Sequence, residues 1–229
     1  VLDRSIKPLP GPAPVINIGK YESFVLDNGL KVFVVENNKI PRVSYSLIVD
    51  YNPLPEGELT GLADFTGQLL RKGTTTMSKD QLDEEIDFIG ASLSTSATGM
   101  YASSLKKHNT RLLELMSDVL LNPAFTGEEL EKIRTQAISG LEASKNEPSA
   151  ISERIGKLLV YGQAHPYGES MTETTAKNIT VDQCKAFYEG FFRPQIAYLA
   201  IVGNITTTEA KELVTKYFSA WQKQGVPDM

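Results

Sequence analysis

Residues 59–72 read Leu-Thr-Gly-Leu-Ala-Asp-Phe-Thr-Gly-Gln-Leu-Leu-Arg-Lys, and Gly73 and Thr74 follow them. This stretch predicts an amphipathic helix, because apolar residues recur at helical spacing and the glycine provides a good helix stop. Its buried side comprises Leu62, Phe65, Leu69 and Leu70. Its polar face comprises Asp64, Gly67, Gln68 and Arg71. Because most such stripes are solvated helix faces, the pattern alone assigns no function.

Upstream of this helix the sequence predicts three strands. Apolar residues at 24–26 and 30–35 flank Asp27-Asn28-Gly29, a turn sequence that tolerates positive φ and is typical of a β-hairpin. A third strand is indicated by alternation of large apolar residues with smaller or polar ones. The apolar members are Val43, Tyr45, Leu47 and Val49.

Downstream, four predicted helices begin with a capping box, in which Ser or Thr is followed three residues later by Glu or Gln. The pairs are Ser78 with Gln81, Thr126 with Glu129, Thr180 with Gln183, and Thr206 with Glu209. The helix from Thr126 is expected to pack by one face. That face carries Leu130, Ile133, Ala137 and Leu141, whereas Glu131, Arg134 and Glu142 lie off it.

Further strands are predicted at 91–97, 100–106 and 196–202, so the order is β-β-β-α-α-β-β-α-α-α-α-β-α. This order favours an α+β fold of two layers, a mostly antiparallel sheet with helices packed on one face. We expect a single domain over residues 20–222. Prolines at every second position from Pro8 to Pro14 predict an extended lead-in over residues 1–19, and residues 223–229 are expected to form a linker or a truncation point.

Composition narrows the choice of function. The chain has 229 residues and a net charge of -5, which argues against a broad cationic face for nucleic acid or anionic membrane. No apolar run approaches the roughly 18 residues of a membrane helix, so membrane insertion is not expected. The single cysteine, Cys184, excludes an intrachain disulfide and is expected to be a small buried residue. The sequence does not identify the compartment, but the first residue is not Met, so export to a periplasm after signal-peptide removal stays open.

The same helix carries a resemblance to a known family. Gly-Leu-Ala-Asp-Phe-Thr-Gly-Gln at 61–68, followed by Lys-Gly-Thr at 72–74, resembles the signature of the pitrilysin/insulinase (M16) zinc peptidases. There the helix reads Gly-Leu-Ala-His-Phe-x-Glu-His. Further landmarks appear in the family's order: residues 26–32, Asn122-Pro123-Ala124-Phe125, His165-Pro166-Tyr167-Gly168, Phe192-Arg193-Pro194 and Ile201-Val202-Gly203-Asn204.

The resemblance implies that the catalytic residues are missing. In the family two histidines of the helix bind zinc, the glutamate is the general base, and a glutamate on a later helix is the third ligand. The matching positions hold Asp64, Gly67 and Gln68, and the third ligand falls at or next to Gly140. Neither neighbour of Gly140, Ser139 or Leu141, is a good zinc ligand. We therefore expect no zinc and no catalytic residue in this chain.

Other residues do not build a replacement site. Asp64 and Gln68 offer one carboxylate and one weak amide ligand, too few for zinc. His108 at a helix start is most simply a solvated residue, and His165 is expected to be packed and hydrogen-bonded. A Cys/His nucleophilic pair is not indicated, because Cys184 lies inside a capped helix without a signal of activation.

Three functions stay open at this point. The resemblance implies a degenerate domain that helps to form a peptide-binding chamber, with an unfolded peptide as substrate and zinc supplied by a homologous domain or subunit. Asp64, Gln68 and Arg71 would then face that groove. The second hypothesis is part of an active zinc peptidase whose motif lies outside this chain. The third is a structural or scaffolding subunit without a proteolytic role.

Overall fold

The computed structural model describes residue 11 and residues 20–225. The predicted lead-in over residues 1–19 lies outside the described residues except for Gly11, as does the predicted C-terminal linker from residue 226 onward. No helix among the described residues is both long and apolar enough to cross a membrane.

A six-stranded sheet forms one layer of the described chain. The strands are β1 (Glu22–Val25), β2 (Lys31–Glu36), β3 (Arg42–Val49), β4 (Ser92–Ser96), β5 (Gly99–Leu105) and β6 (Ala197–Gly203). They are arranged in the order β1-β2-β6-β3-β5-β4. Only the β2–β6 pair within this sheet is parallel, whereas the other four pairs are antiparallel. The prediction of an α+β fold with a mostly antiparallel sheet is confirmed.

Eight α-helices are present in the described part of the chain. They are α1 (Leu62–Leu70), α2 (Lys79–Phe88), α3 (Asn109–Leu121), α4 (Gly127–Ser144), α5 (Pro148–Tyr161), α6 (Glu173–Asn178), α7 (Val181–Phe191) and α8 (Thr207–Phe218). Short 3-10 helices occupy Gly57–Leu59, Lys106–His108 and Pro194–Ile196. Five helices separate β5 from β6, so the predicted number of four is wrong. The shortest of the five is α6, whose six residues span less than two turns and show no clear helical periodicity in the sequence.

The capping predictions hold in part. Ser78 and Thr180 form complete capping boxes with Gln81 and Gln183. Thr126 and Thr206 also accept a bond from the backbone three residues later, but the return bond from the glutamate is absent there. The start of α6 carries a third complete box, between Thr172 and Thr175, which a search for Glu or Gln at that spacing misses.

The core lies between one face of the sheet and the helices. The predicted alternation in β3 is confirmed, because Val43, Tyr45, Leu47 and Val49 are all buried. The Tyr45 hydroxyl donates to Asn109 Oδ1 of α3 at 2.5 Å, which satisfies a polar group inside this core. Burial raises the pKa of Tyr45 well above its usual value.

One expected solvent-facing residue of α4 makes internal contacts instead. Leu130 and Ile133 are buried as predicted. Arg134, placed off the apolar stripe by its periodicity, is largely covered and donates from Nε to the carbonyl oxygen of Ala176 at 2.9 Å. It also donates to the carbonyl oxygen of Ile179. The guanidinium therefore ties α4 to the end of α6.

Candidate functional site

The motif positions lie in α1, which packs against α4, α7 and β4. Asp64 is exposed and Gln68 is half-buried one turn later. Gln68 Nε2 donates to Asp64 Oδ2 at 2.8 Å, so the two polar side chains bond to each other. The predicted helix at 59–72 is shorter in the structure, because the chain before Gly61 tightens into a 3-10 turn and the helix ends at Leu70.

Gly67 is buried, so the expectation that it shares an exposed polar face is wrong. A Cβ atom built on Gly67 would lie 2.3 Å from the carbonyl carbon of Ser96 and 2.4 Å from the amide nitrogen of Ala97. These atoms belong to the turn between β4 and β5. The middle motif position, which carries the general base in the family, therefore faces the backbone of this turn.

Arg71 caps the end of α1 and points to α2. Its Nη2 lies 2.9 Å from Asp83 Oδ1, and Lys79 Nζ lies 2.7 Å from Asp83 Oδ2. The hydrogen bond and charge of Asp83 raise the pKa of Lys79 above its usual value. Arg71 therefore belongs to an ion-pair group between two helices. That Asp64, Gln68 and Arg71 face a peptide groove stays a prediction.

Gly140, the position assigned to the third zinc ligand, lies in α4 and is exposed. No atom would come within 4 Å of a Cβ placed there. Position 140 therefore accepts a larger side chain, in contrast to position 67. Gly140 and Asp64 lie on helices, α4 and α1, that pack against each other.

Two glutamates anchor the start of α1, and the sequence patterns missed both. Gly61 precedes α1 and offers no capping side chain. Glu56 takes this role, accepting from the amide of Gly61 at 2.6 Å and from the amide of Ala63 at 2.7 Å. Glu169, from the loop after α5, in turn accepts from the amides of Glu56 at 2.8 Å and Gly57 at 2.9 Å. Because the glutamates reach these amides across five to 113 residues, no local capping pattern reveals them.

Tyr51 connects this region to the β4–β5 turn. Its hydroxyl donates to the carbonyl oxygen of Ala97 at 3.1 Å, and its ring packs on Phe187 and Phe191 of α7. Burial, together with the nearby charge of Glu56, raises the pKa of Tyr51 to about 12. Tyr51 is therefore protonated at neutral pH and holds the turn as a hydrogen-bond donor.

The remaining candidate residues do not form a second site. His165 is exposed, accepts at Nδ1 from the amide of Tyr167 at 3.1 Å and stacks on Tyr161. His108 is half-buried at the start of α3. Cys184 is fully buried, and this burial raises the pKa of its thiol.

The donor set does not fit zinc. Asp64 supplies a single carboxylate, already bonded to Gln68, and Gly67 and Gly140 supply no donor. Within residue 11 and residues 20–225, no three His, Cys, Asp or Glu side chains are placed to hold a metal ion together. A catalytic zinc site requires three such protein ligands.

Two family models match the chain. The model of insulinase, peptidase family M16, matches residues 31–163, which is more than half of the chain. A second model, described as the peptidase M16 inactive domain, matches residues 178–228. The first match contains α1, α4 and β4, and the second contains α7, which also packs against α1.

Curated relatives include a zinc protease and a subunit of a respiratory complex. The chain is 23% identical over 209 residues to the uncharacterized zinc protease YmxG of Bacillus subtilis, covering 88% of this chain and 51% of that protein. It is 26% identical over 228 residues to subunit 1 of the mitochondrial cytochrome b-c1 complex of Caenorhabditis elegans, covering 93% of this chain and 45% of that protein. The chain therefore spans about half the length of these relatives.

A solved structure shows the same fold. The chain superposes on a peptidase M16 inactive domain from Pseudomonas fluorescens with a TM-score of 0.82 at 22% identity. The superposition covers 92% of this chain and 53% of that one. At this identity the similarity establishes the fold only. The chemistry has to be inferred from the residues of the site.

Proposed function

The chain belongs to the insulinase family, peptidase family M16, and from this premise we propose a non-catalytic role for it. The domain, at residues 20–222, contributes to the peptide-binding chamber of a zinc protease assembly. A homologous domain or subunit supplies the zinc. The observation that carries the proposal is the state of the motif positions: Asp64 and Gln68 bond to each other, and Gly67 packs on the backbone of a turn.

The edge strand β4 offers a place for an extended peptide. It ends the sheet beside α1, and Ser92, Ser94 and Ser96 are exposed along it. Two residues, Ala97 and Thr98, connect Ser96 to Gly99, so Ser96 and Gly99 form a hydrogen-bonded pair. From this pair, non-hydrogen-bonded and hydrogen-bonded pairs alternate along the hairpin. The amides of Leu93 and Thr95 then point outward, where an added strand would accept their hydrogen bonds.

One observation each favours two other functions, an active peptidase and a structural subunit. Similarity to a zinc protease favours an active peptidase whose catalytic motif lies outside this chain. Similarity to a subunit of the cytochrome b-c1 complex favours a structural subunit. The three functions differ in whether this chain binds peptide and whether it cleaves peptide.

Peptide binding and cleavage can be measured with oxidised insulin B chain as an unstructured probe. We expect the isolated chain with added zinc to bind the probe weakly and to leave it intact. Thr95→Pro removes one outward amide and is expected to weaken binding at least 10-fold, because proline cannot donate. Thr95→Val keeps the amide and serves as the matched control.

The outcomes separate the hypotheses. Cleavage of the probe by the chain with zinc would contradict the non-catalytic role. A chain that binds no probe, with no difference between the two Thr95 variants, would support the structural subunit. Equal weakening by Thr95→Pro and Thr95→Val would move the binding site away from the edge of β4.

A further inference from the structure

The β4–β5 turn approaches α1 so closely at Gly67 that no side chain fits between them. A Cβ atom there would lie 2.3 Å from the carbonyl carbon of Ser96 and 2.6 Å from its carbonyl oxygen. Both are backbone atoms, so a change of rotamer does not relieve the overlap. Since carbon atoms in contact are about 3.5–4.0 Å apart, the turn has to move by about 1 Å or more to admit a methyl group.

Contacts with other parts of the chain also hold the turn. The Tyr51 hydroxyl donates to the carbonyl oxygen of Ala97 at 3.1 Å, and the amide of Val49 donates to the carbonyl oxygen of Thr98 at 2.8 Å. At Gly99 a Cβ atom would lie 2.0 Å from the carbonyl oxygen of Leu47. Contacts with α1, β3 and Tyr51 therefore hold the turn in place.

We propose that this turn plugs the space from which the family's general base would act. Position 67 matches the motif glutamate, and here the backbone of Ser96 and Ala97 fills the space that any side chain at 67 would enter. The general base is therefore absent for two reasons: position 67 is a glycine, and the packing leaves no space for a side chain there. Restoring a glutamate displaces the hairpin instead of completing the site. The assignment of position 67 to the general base rests on the proposed function. The packing of the turn on Gly67 does not, and it is measured by a separate experiment.

The test compares one added methyl group at two helical glycines. Gly67→Ala places it against the turn, whereas Gly140→Ala places it in open space on α4. The readout is hydrogen exchange of the Val49 amide, which bonds to the turn at Thr98, relative to the Val214 amide in α8. The ratio separates local movement of the turn from a loss of global stability.

We expect Gly67→Ala to raise this ratio at least 10-fold and Gly140→Ala to leave it within two-fold of the native value. Equal ratios in the two variants would overturn the plug. If Gly67→Ala yields no folded protein, the double variant Tyr51→Phe/Gly67→Ala decides, because loss of the tether to Ala97 lets the turn move away. Recovery of folded protein supports the plug, and no recovery overturns it.

The result is independent of peptide binding. If the native chain binds no oxidised insulin B chain, the proposed chamber role fails while the exchange ratio still reports the plug. If the probe binds but the ratio does not change, the plug fails and the proposed function stands.

Discussion

Removing the carboxylate that caps α1 should destabilise the chain measurably. Glu56→Ala deletes two short N–H···O bonds, of 2.6 Å to Gly61 and 2.7 Å to Ala63, at a helix start with no other capping side chain. A hydrogen bond to a charged group contributes about 1.5–3 kcal/mol, and a cap about 1 kcal/mol. Because Glu56 is only half-buried, water replaces part of this contribution.

We expect a loss of about 2 kcal/mol for Glu56→Ala and about 1 kcal/mol for Glu56→Gln, which keeps one acceptor oxygen. For a chain of this size about 2 kcal/mol corresponds to a decrease in Tm of about 4–8 °C. Urea unfolding with an unchanged m-value measures the difference.

Glu58 provides the matched control for this experiment. It lies in the adjacent 3-10 turn, is exposed, and its carboxylate has no hydrogen-bond partner within the described part of the chain. Glu58→Ala should therefore change the free energy of unfolding by less than about 0.5 kcal/mol. A Glu56→Ala value within that same range would refute the capping role, and with it the view that α1 is anchored from outside its own sequence.

Three further results are expected. Asp64→His/Gln68→His should bind zinc poorly in a calorimetric titration, and adding Gly140→Glu should raise the affinity at least 10-fold, because zinc requires a third protein ligand; equal affinities would show that the third position is misplaced. Cys184 should react with a thiol reagent only after unfolding, since burial raises its pKa and covers its sulfur; fast labelling of the native chain would contradict this. Above pH 10 stability should fall as pH rises toward 12, because the pKa of Tyr51 is raised to about 12 in the folded chain and the unfolded chain loses its proton first. Tyr51→Phe should make this fall shallower in urea unfolding at pH 9 and pH 11, and an unchanged slope would argue against it.

The elements that sequence patterns predicted well are those with local causes. The alternation in β3 predicted its buried face, and the boxes at Ser78 and Thr180 predicted the starts of α2 and α7. These features depend on residues within a few positions of one another. The ends of α1 were less well predicted, because Gly61 adopts a φ of 109° and the residues before it form a separate turn.

The features that the sequence could not predict depend on distant contacts. Glu169 reaches the amide of Glu56 across 113 residues, and Asn28 Nδ2 donates to the carbonyl oxygen of Phe218 across 190 residues. Periodicity likewise predicts a solvent-facing Arg134, but this side chain donates to the carbonyl oxygen of Ala176 in α6. Periodicity identifies which face a helix buries, but only the tertiary structure identifies the partner.

Gly67 differs from the other motif positions, because it lacks both the family's side chain and the space to hold one. Asp64 is exposed and Gly140 has open space around it, so ligands could be placed at either position without moving the backbone. Gly67 cannot accept even a methyl group unless the β4–β5 turn moves, and the Tyr51 hydroxyl donates a hydrogen bond to that turn. We therefore expect substitutions alone to restore metal binding, whereas restoring the base requires a different hairpin. The missing ligands and the packing at Gly67 support a non-catalytic role independently of each other.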